Sequence, residues 1–388
     1  VLKTTIIKKK DIKKLKIKKG VVVCGDIHIF NVYPYNDNSN IISSRLSDIA
    51  SALDEVGYVA KVLDLPIVLN GDIITSGIFD YPVEYVLTKF LTKYSDTTIF
   101  INLGNHDFDG IHSVITPLIK YGNNNNHFVM SEPSKFSFYE VKPKVNFYFA
   151  PFQRKIEALR SLEKLSKKLN GKEINILFIH NQFSGSIYSN KAKSKSGISQ
   201  NLFVNGKFSK YNMVIASHIH KFQSICGGKG IYTSSLIPLN FGERRKEHGF
   251  HIIDIENKYD YFIIPKAPKF VYLNLDQLKE YDKSHLAKKI KGNIICIKKK
   301  NETIINKKNI TKKLLLLGAR FVTFKNIVKN KRKENEMKIK ESENVEEIVS
   351  KYSKVLFDRN PKMKHKKIEN IGLEILHEAQ QVKSLSNL

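Results

Sequence analysis

Five times along this chain an apolar run rich in β-branched residues ends in a cluster of polar side chains. VVVCGD covers Val21–Asp26, LPIVLNGD covers Leu65–Asp72, TTIFINLGNHD covers Thr97–Asp107, EINILFIHN covers Glu173–Asn181 and NMVIASHIH covers Asn212–His220. Short runs that are apolar at every position predict strands buried on both faces. Between the first two, Leu46, Ile49, Leu53, Val56 and Val59 or Ala60 recur at helical spacing behind an N-cap at Ser43 or Ser44. Val83–Tyr94 and Ile156–Leu169 predict two further helices. Buried strands alternating with amphipathic helices predict a layered α/β domain. At 388 residues and 41% apolar, the chain can bury such a core.

Beyond Ile215 the texture changes. GIYTSSLIPLNFG, GFHIIDIEN and YDYFIIPKAP read as strands separated by turns, and residues 267–325 as a smaller mixed domain. From about Asn330 the sequence is charged and helical. There Ile368, Ile371, Ile375, Ala379 and Val382 line one helix face, which must lie on its own domain or on a partner. The Lys-rich first twenty residues read as a lead-in that includes an edge strand.

The formal charge of +28 is unevenly spread. Residues 1–20 hold nine Lys against one Asp, and residues 266–388 hold 30 basic against 14 acidic side chains, so the middle is nearly neutral. Basic flanks on a neutral core point to a polyanionic partner. No apolar run approaches the ~20 residues that span a bilayer. Three scattered cysteines without a CxxC pair suggest neither a disulfide framework nor a thiolate zinc site. The basic start lacks an apolar segment of signal-peptide kind. The expectation is a cytoplasmic protein with no membrane association.

The polar strand ends carry Asp26 and His28, then Asp72, then Asn105, His106 and Asp107, then His180, then His218 and His220. Five of the twelve histidines fall in this set. A lone D-x-H is more often a cap with a surface His, and NGD is a common turn. In SHIH, positions i and i+2 of an extended segment point the same way. Together these residues supply about seven oxygen or imidazole donors at one edge of one sheet, where α/β folds bind ligands. That donor set suits two divalent cations such as Mn, Fe or Zn.

The order GD-x-H, GD, GNHD, H and H-x-H resembles the calcineurin-like metallophosphoesterases over about residues 20–255. Ser217 stands where that family usually has Gly. Downstream, HIHKFQS and IYTSSLIPLNFGERRKEHGF (Ile231–Phe250) resemble the SbcD-type nuclease subunits of double-strand-break repair and recombination, of which phages encode compact versions. IFNVYPYNDNSN replaces their short His/Gly-containing stretch after the first motif.

The resemblance implies a four-layer αββα sandwich over residues 1–265, a small α+β capping and DNA-binding domain over 266–329, and a helical C-terminal segment over 330–388. That segment would dock an SbcC-like coiled-coil ATPase, and the chain would form a homodimer. The implied activity is DNA phosphodiester hydrolysis, as exonuclease or endonuclease, by a hydroxide activated between two metals. Manganese is the first expectation, with Mg, Fe or Zn as alternatives. Asp26, His28 and His220 would hold one ion, and Asn105, His180 and His218 the other, with Asp72 bridging. His106 would face the substrate as acid or phosphate clamp. Asp107 would either orient His106 or cap the turn after Gly104. Lys191, Lys193 and Lys195 are candidate phosphate contacts, or a solvated loop. The rival readings are a protein phosphatase, a cyclic-nucleotide phosphodiesterase, or a catalytically silent DNA-binding assembly subunit.

Overall fold

The structure is a computed structural model. It describes residues 2–30, 43–75, 80–109, 112–117, 125–139, 143–188, 192–244, 247–276, 278, 283–300 and 305–327. Two sheets form its centre. The first has the order β1 (Lys3–Ile6), β15 (Tyr259–Ile263), β14 (Phe250–Asp254), β2 (Gly20–Cys24), β3 (Ile67–Asn70), β4 (Ile99–Asn102) and β7 (His127–Met130). The second has the order β12 (Gln223–Ile225), β13 (Gly230–Tyr232), β11 (Met213–Ser217), β10 (Ile174–His180), β9 (Val145–Ala150) and β8 (Ser134–Tyr139). A two-stranded ribbon joins β5 (Phe108–Asp109) to β6 (His112–Ser113).

The five motif strands therefore belong to two sheets, not to one as their common pattern suggested. Their side chains explain why the pattern is common. Successive residues of a strand face opposite sides. On β2, Val22 and Cys24 join a core with the helices α1 (Ser44–Leu63) and α2 (Tyr81–Lys93), while Val21 and Val23 face the other sheet. On β10, Leu177 and Ile179 pack with α3 (Lys155–Ser166) and with Phe203 of α4 (Asn201–Val204), while Ile176 and Phe178 meet the first sheet. Each sheet is thus covered on both faces, and the layers run helix, sheet, sheet, helix.

The helices form where expected. Ser43 caps α1 by accepting the Leu46 N–H at 3.1 Å, and Leu46, Ile49, Leu53 and Val56 are fully buried. Helix α2 begins two residues earlier than the apolar spacing predicts. Asp80 caps it through the Val83 N–H, and Pro82 sits in its first turn, where it removes no needed donor.

Strands β2, β3 and β4 run parallel, as do β9, β10 and β11, so each sheet gathers its carboxyl ends at one edge. Asn70 brings the two edges together. Its buried amide donates to the carbonyls of Ile179 (3.3 Å) and Ile215 (3.1 Å) and to Ser217 Oγ (3.0 Å).

A third sheet follows, with the order β16 (Phe270–Asn274), β17 (Ile294–Lys300) and β18 (Phe321–Ile327), and carries helices α5 (Lys283–Ile290) and α6 (Lys307–Leu316). Leu273, Ile290, Ile295 and Leu314 form its own core. It leans on α1, where Arg320 pairs with Asp48 at 2.7 Å and donates to the Ser44 carbonyl. One compact unit runs to Asn326. The helical segment expected over 330–388, with its face from Ile368 to Val382, lies outside the described residues. Among the described residues no helix is long and apolar enough to cross a membrane.

Candidate metal centre

The seven proposed ligands meet where the two sheets' carboxyl edges join. Asp26, His28, Asp72 and His180 are buried. Donor atoms of Asp26, His28 and His220 lie within 4.8 Å of one another, and so do those of Asp72, His180 and His218. The two groups adjoin through Asp72, whose Oδ2 lies 3.7 Å from His28 Nε2 and 3.3 Å from His180 Nε2. Asn105 Oδ1 is 2.9 Å from His218 Nδ1. A third group of His28, Asp72 and His106 overlaps both.

The backbone is bent hard to achieve this. Asp26, His28, Asp72 and His218 all have positive φ, from 48° to 102°, a region that L side chains seldom adopt. Such strain persists where surrounding contacts enforce it, and it collects at functional sites. Two glycines permit the close approach. A Cβ on Gly71 would lie 2.0 Å from His180 Nδ1, and one on Gly104 would lie 2.2 Å from Asp72 Oδ1. Ser217, which the sequence comparison marks as a departure, is fully partnered. Its hydroxyl accepts from Asn70 and bonds Thr233 Oγ1 at 2.8 Å, while Gly25 leaves it room.

Three of the four candidate ligand imidazoles are oriented through their Nδ1 atoms. His180 Nδ1–H donates to the Asn70 carbonyl at 2.9 Å, His28 Nδ1 meets Thr75 Oγ1 at 3.3 Å, and His220 Nδ1–H donates to Glu243 Oε1 at 3.0 Å. Three Nε2 atoms are thereby turned inward, the arrangement metal-binding histidines adopt. His28 Nε2 and His220 Nε2 stand 3.2 Å apart. The buried Nε2 of His180 forms no hydrogen bond of good geometry, although Asp72 lies beside it. Inward-facing nitrogens and carboxylates without thiolate fit divalent cations of borderline character.

The electrostatics agree. Burial opposes protonation of His180 and His220, yet Asp72 and Asp26 raise His180 to about 9, and Asp26 with Glu243 raises His220 to about 9. Burial pushes His28 down to about 3 and His218 down to about 4. Burial raises Asp26 to about 6. Burial also works against charge on Asp72, but His180 and His28 outweigh it and hold that carboxyl well below its usual range. The site therefore holds protons on two rings where cations would replace them.

His106 sits at the rim, partly buried, with its ring edge-on to His28 at 5.0 Å between centroids. Its backbone N–H donates to Asp72 Oδ1 at 2.9 Å. Asp107 does not orient it. The Asp107 carboxylate accepts the N–H groups of Ile73 (2.7 Å), Ile74 (3.1 Å) and Gly104 (2.8 Å). Of its two expected roles it takes the cap, because three backbone donors converge on it, and burial raises it to about 7. Lys193 and Lys195 are exposed on the loop after β10, and Lys191 lies outside the described residues. Sequence reasoning names none of Asn70, Thr75 and Glu243 as site residues, nor Phe152, whose ring stacks on His218 at 5.7 Å.

A family model described as calcineurin-like phosphoesterase matches residues 20–222, more than half of the chain. A solved structure of a dimetal phosphatase from Danio rerio is similar over 61% of this chain and 92% of that one, at 12% identity and a TM-score of 0.40. No curated protein sequence matches the chain. The family match spans every motif from Asp26 to His220, whose side chains form the clustered donors, and the chain belongs to the calcineurin-like phosphoesterases.

Proposed function

We propose that this phosphoesterase is a metal-dependent DNA nuclease of SbcD type, acting in recombination, repair or replication with an SbcC-like coiled-coil ATPase. The observation that carries the reading is Glu243. It belongs to the NFGE turn on which the resemblance to those nucleases rests, and its carboxylate is bonded to the candidate ligand His220 at 3.0 Å. The segment that sets the nucleases apart thus reaches into the site.

Asp26, His28 and His220 would hold one cation, Asn105, His180 and His218 a second, and Asp72 would lie between them. When bound, two divalent cations supply Lewis-acid charge and an acidified water. Only two of the seven ligands are carboxylates, so the loaded centre stays cationic and attracts a phosphodiester. His106 is free of the ligand sets assigned to the two cations, and from the rim its imidazole can donate to a phosphate oxygen or to the leaving 3′-oxygen. Manganese suits this mixed oxygen and nitrogen set, with Mg, Fe or Zn as alternatives. Lys193 and Lys195 would contact DNA phosphates and fix no sequence. Homodimer formation, ATPase docking through residues 330–388 and a cytoplasmic setting belong to the same proposal.

The test is hydrolysis of linear double-stranded DNA, single-stranded DNA and a chromogenic phosphodiester with Mn²⁺ or Mg²⁺, by wild type and His106→Ala. Manganese-dependent DNA degradation that His106→Ala abolishes supports the nuclease. Phosphate release from phosphoproteins without DNA cleavage sinks it.

A further inference from the structure

We propose that Glu243 is a positioning residue for His220, and that the small domain holds Glu243 in place. The inference rests on Asp26, His28 and His220 forming one cation site, as proposed above. Each histidine with an inward Nε2 is fixed by a different partner: a hydroxyl for His28, a backbone carbonyl for His180 and a carboxylate for His220. Only the carboxylate adds charge, which makes the ring a stronger donor toward a cation. His220 also has the least packing around it. Its side chain is 25% exposed, against 0% for His180 and 7% for His28. Its orientation therefore depends most on that one bond.

Glu243 has a frame of its own. Its Oε2 accepts the Leu239 N–H at 2.8 Å. Its backbone carbonyl accepts the His248 Nε2–H at 3.1 Å, which leaves His248 Nδ1 to accept the Ser235 hydroxyl at 2.8 Å. Two residues earlier the same loop enters the small domain. Phe241 packs on Phe270 and Tyr272 of β16, with both ring centroids at 4.8 Å. One residue after Glu243, Arg244 donates to the Phe241 carbonyl at 2.7 Å and lies over the Tyr272 ring at 4.6 Å. The turn from Leu239 to Arg244 thus holds a candidate metal ligand with one side chain and the small domain with two others. A displacement of β16 reaches His220 through this turn, so the cation site that holds His220 is tied to how the small domain is seated.

Calorimetric titration of Mn²⁺ into the metal-stripped full-length chain tests this. Wild type is expected to bind two ions. Glu243→Ala should weaken one of them about 10–100-fold, the usual effect of losing a ligand's supporting partner, and leave the other unchanged. Glu243→Gln keeps one acceptor for the His220 Nδ1–H but loses the charge and the acceptor for the Leu239 N–H, and should recover part of that loss. Tyr272→Ala leaves Glu243 intact and should weaken the same ion several-fold. A loss confined to one ion and rescued by Gln is not what a general loosening of the fold produces. Two ions at wild-type affinity in Glu243→Ala overturn the positioning role, and two in Tyr272→Ala overturn the tie to the small domain. If Glu243→Ala does not fold, Tyr272→Ala decides, since it leaves the Glu243 carboxylate and both of its bonds in place. Wild type that binds no Mn²⁺ overturns the cation reading itself, and this inference with it.

Discussion

Asn105 and His106 are adjacent in sequence and placed for different work. The Asn105 carbonyl oxygen converges with His218 Nδ1, whereas the His106 ring stands at the rim against His28. Asn105→Ala should weaken binding of one ion by about tenfold or more. His106→Ala should leave both ions bound and lower kcat by about 10²–10⁴, the range for loss of a general acid. Metal stoichiometry measured beside turnover separates the two, and loss of metal from His106→Ala would count against its substrate-facing role. The raised histidines give a second prediction. His180 and His220 keep their protons to about 9 in the folded metal-free chain, above the ordinary histidine value of 6.5. Folding then binds more protons than unfolding between those values, so this contribution is present below pH 6.5 and is lost as pH rises through about 9. The Tm of metal-free protein should fall across that window. Mn²⁺ affinity should climb over the same window with proton release, because the ion must displace those protons. Asp26, His28 and His218 shift between pH 3 and 6.5 and leave that window alone.

Between elements, the loops after β3 and β4 are locked by one buried side chain. Asp107 takes the N–H groups just after Asp72 and just before Asn105, so it sets the spacing of two candidate ligands. Asp107→Ala strands three buried donors, each costing about 1–3 kcal/mol. It should lower unfolding free energy by roughly 3 kcal/mol or more in urea titration, and weaken metal binding as well, unlike His106→Ala. The cap on Gly104 was legible, but the tie to residues 73 and 74 was not, because those partners come from another strand's loop. Strands and helices were legible, since burial on both faces leaves unbroken apolar runs and α1 shows its stripe and cap. The cluster of candidate ligands was legible because each stands at the end of such a run. The division into two sheets came from the family resemblance and not from the runs themselves, because a strand between helix and sheet reads like any strand buried twice. Glu243 looked like part of a turn, and its bond to His220 forms across 23 residues. Ser217 looked like a departure, yet Asn70 and Thr233 take up its hydroxyl.

Across the whole molecule the charge excess and the site must be reconciled. The centre is built from near-neutral sequence, while the lysines crowd the first twenty residues and the last third. Residues 1–326 form a compact unit that contains every candidate ligand. Removal of residues after 329 should therefore preserve hydrolysis of a chromogenic phosphodiester while ending any association with a coiled-coil ATPase. Loss of the small-substrate activity would assign the tail to the catalytic fold instead. DNA affinity should follow a different rule, because each phosphate neutralised by a Lys or Arg releases counterion. The logarithm of affinity then falls linearly with the logarithm of salt, with a slope near −0.9 per phosphate contact on duplex DNA. Lys193 and Lys195 are exposed on the loop after β10, whose end carries His180. If they touch the backbone, Lys193→Ala with Lys195→Ala should flatten that slope by about 2, weaken all sequences alike and leave chromogenic turnover unchanged. An unaltered slope would mark the loop as solvated and move the DNA path to the basic flanks, where substitutions among Lys8, Lys10 and Lys13 would then carry the salt dependence.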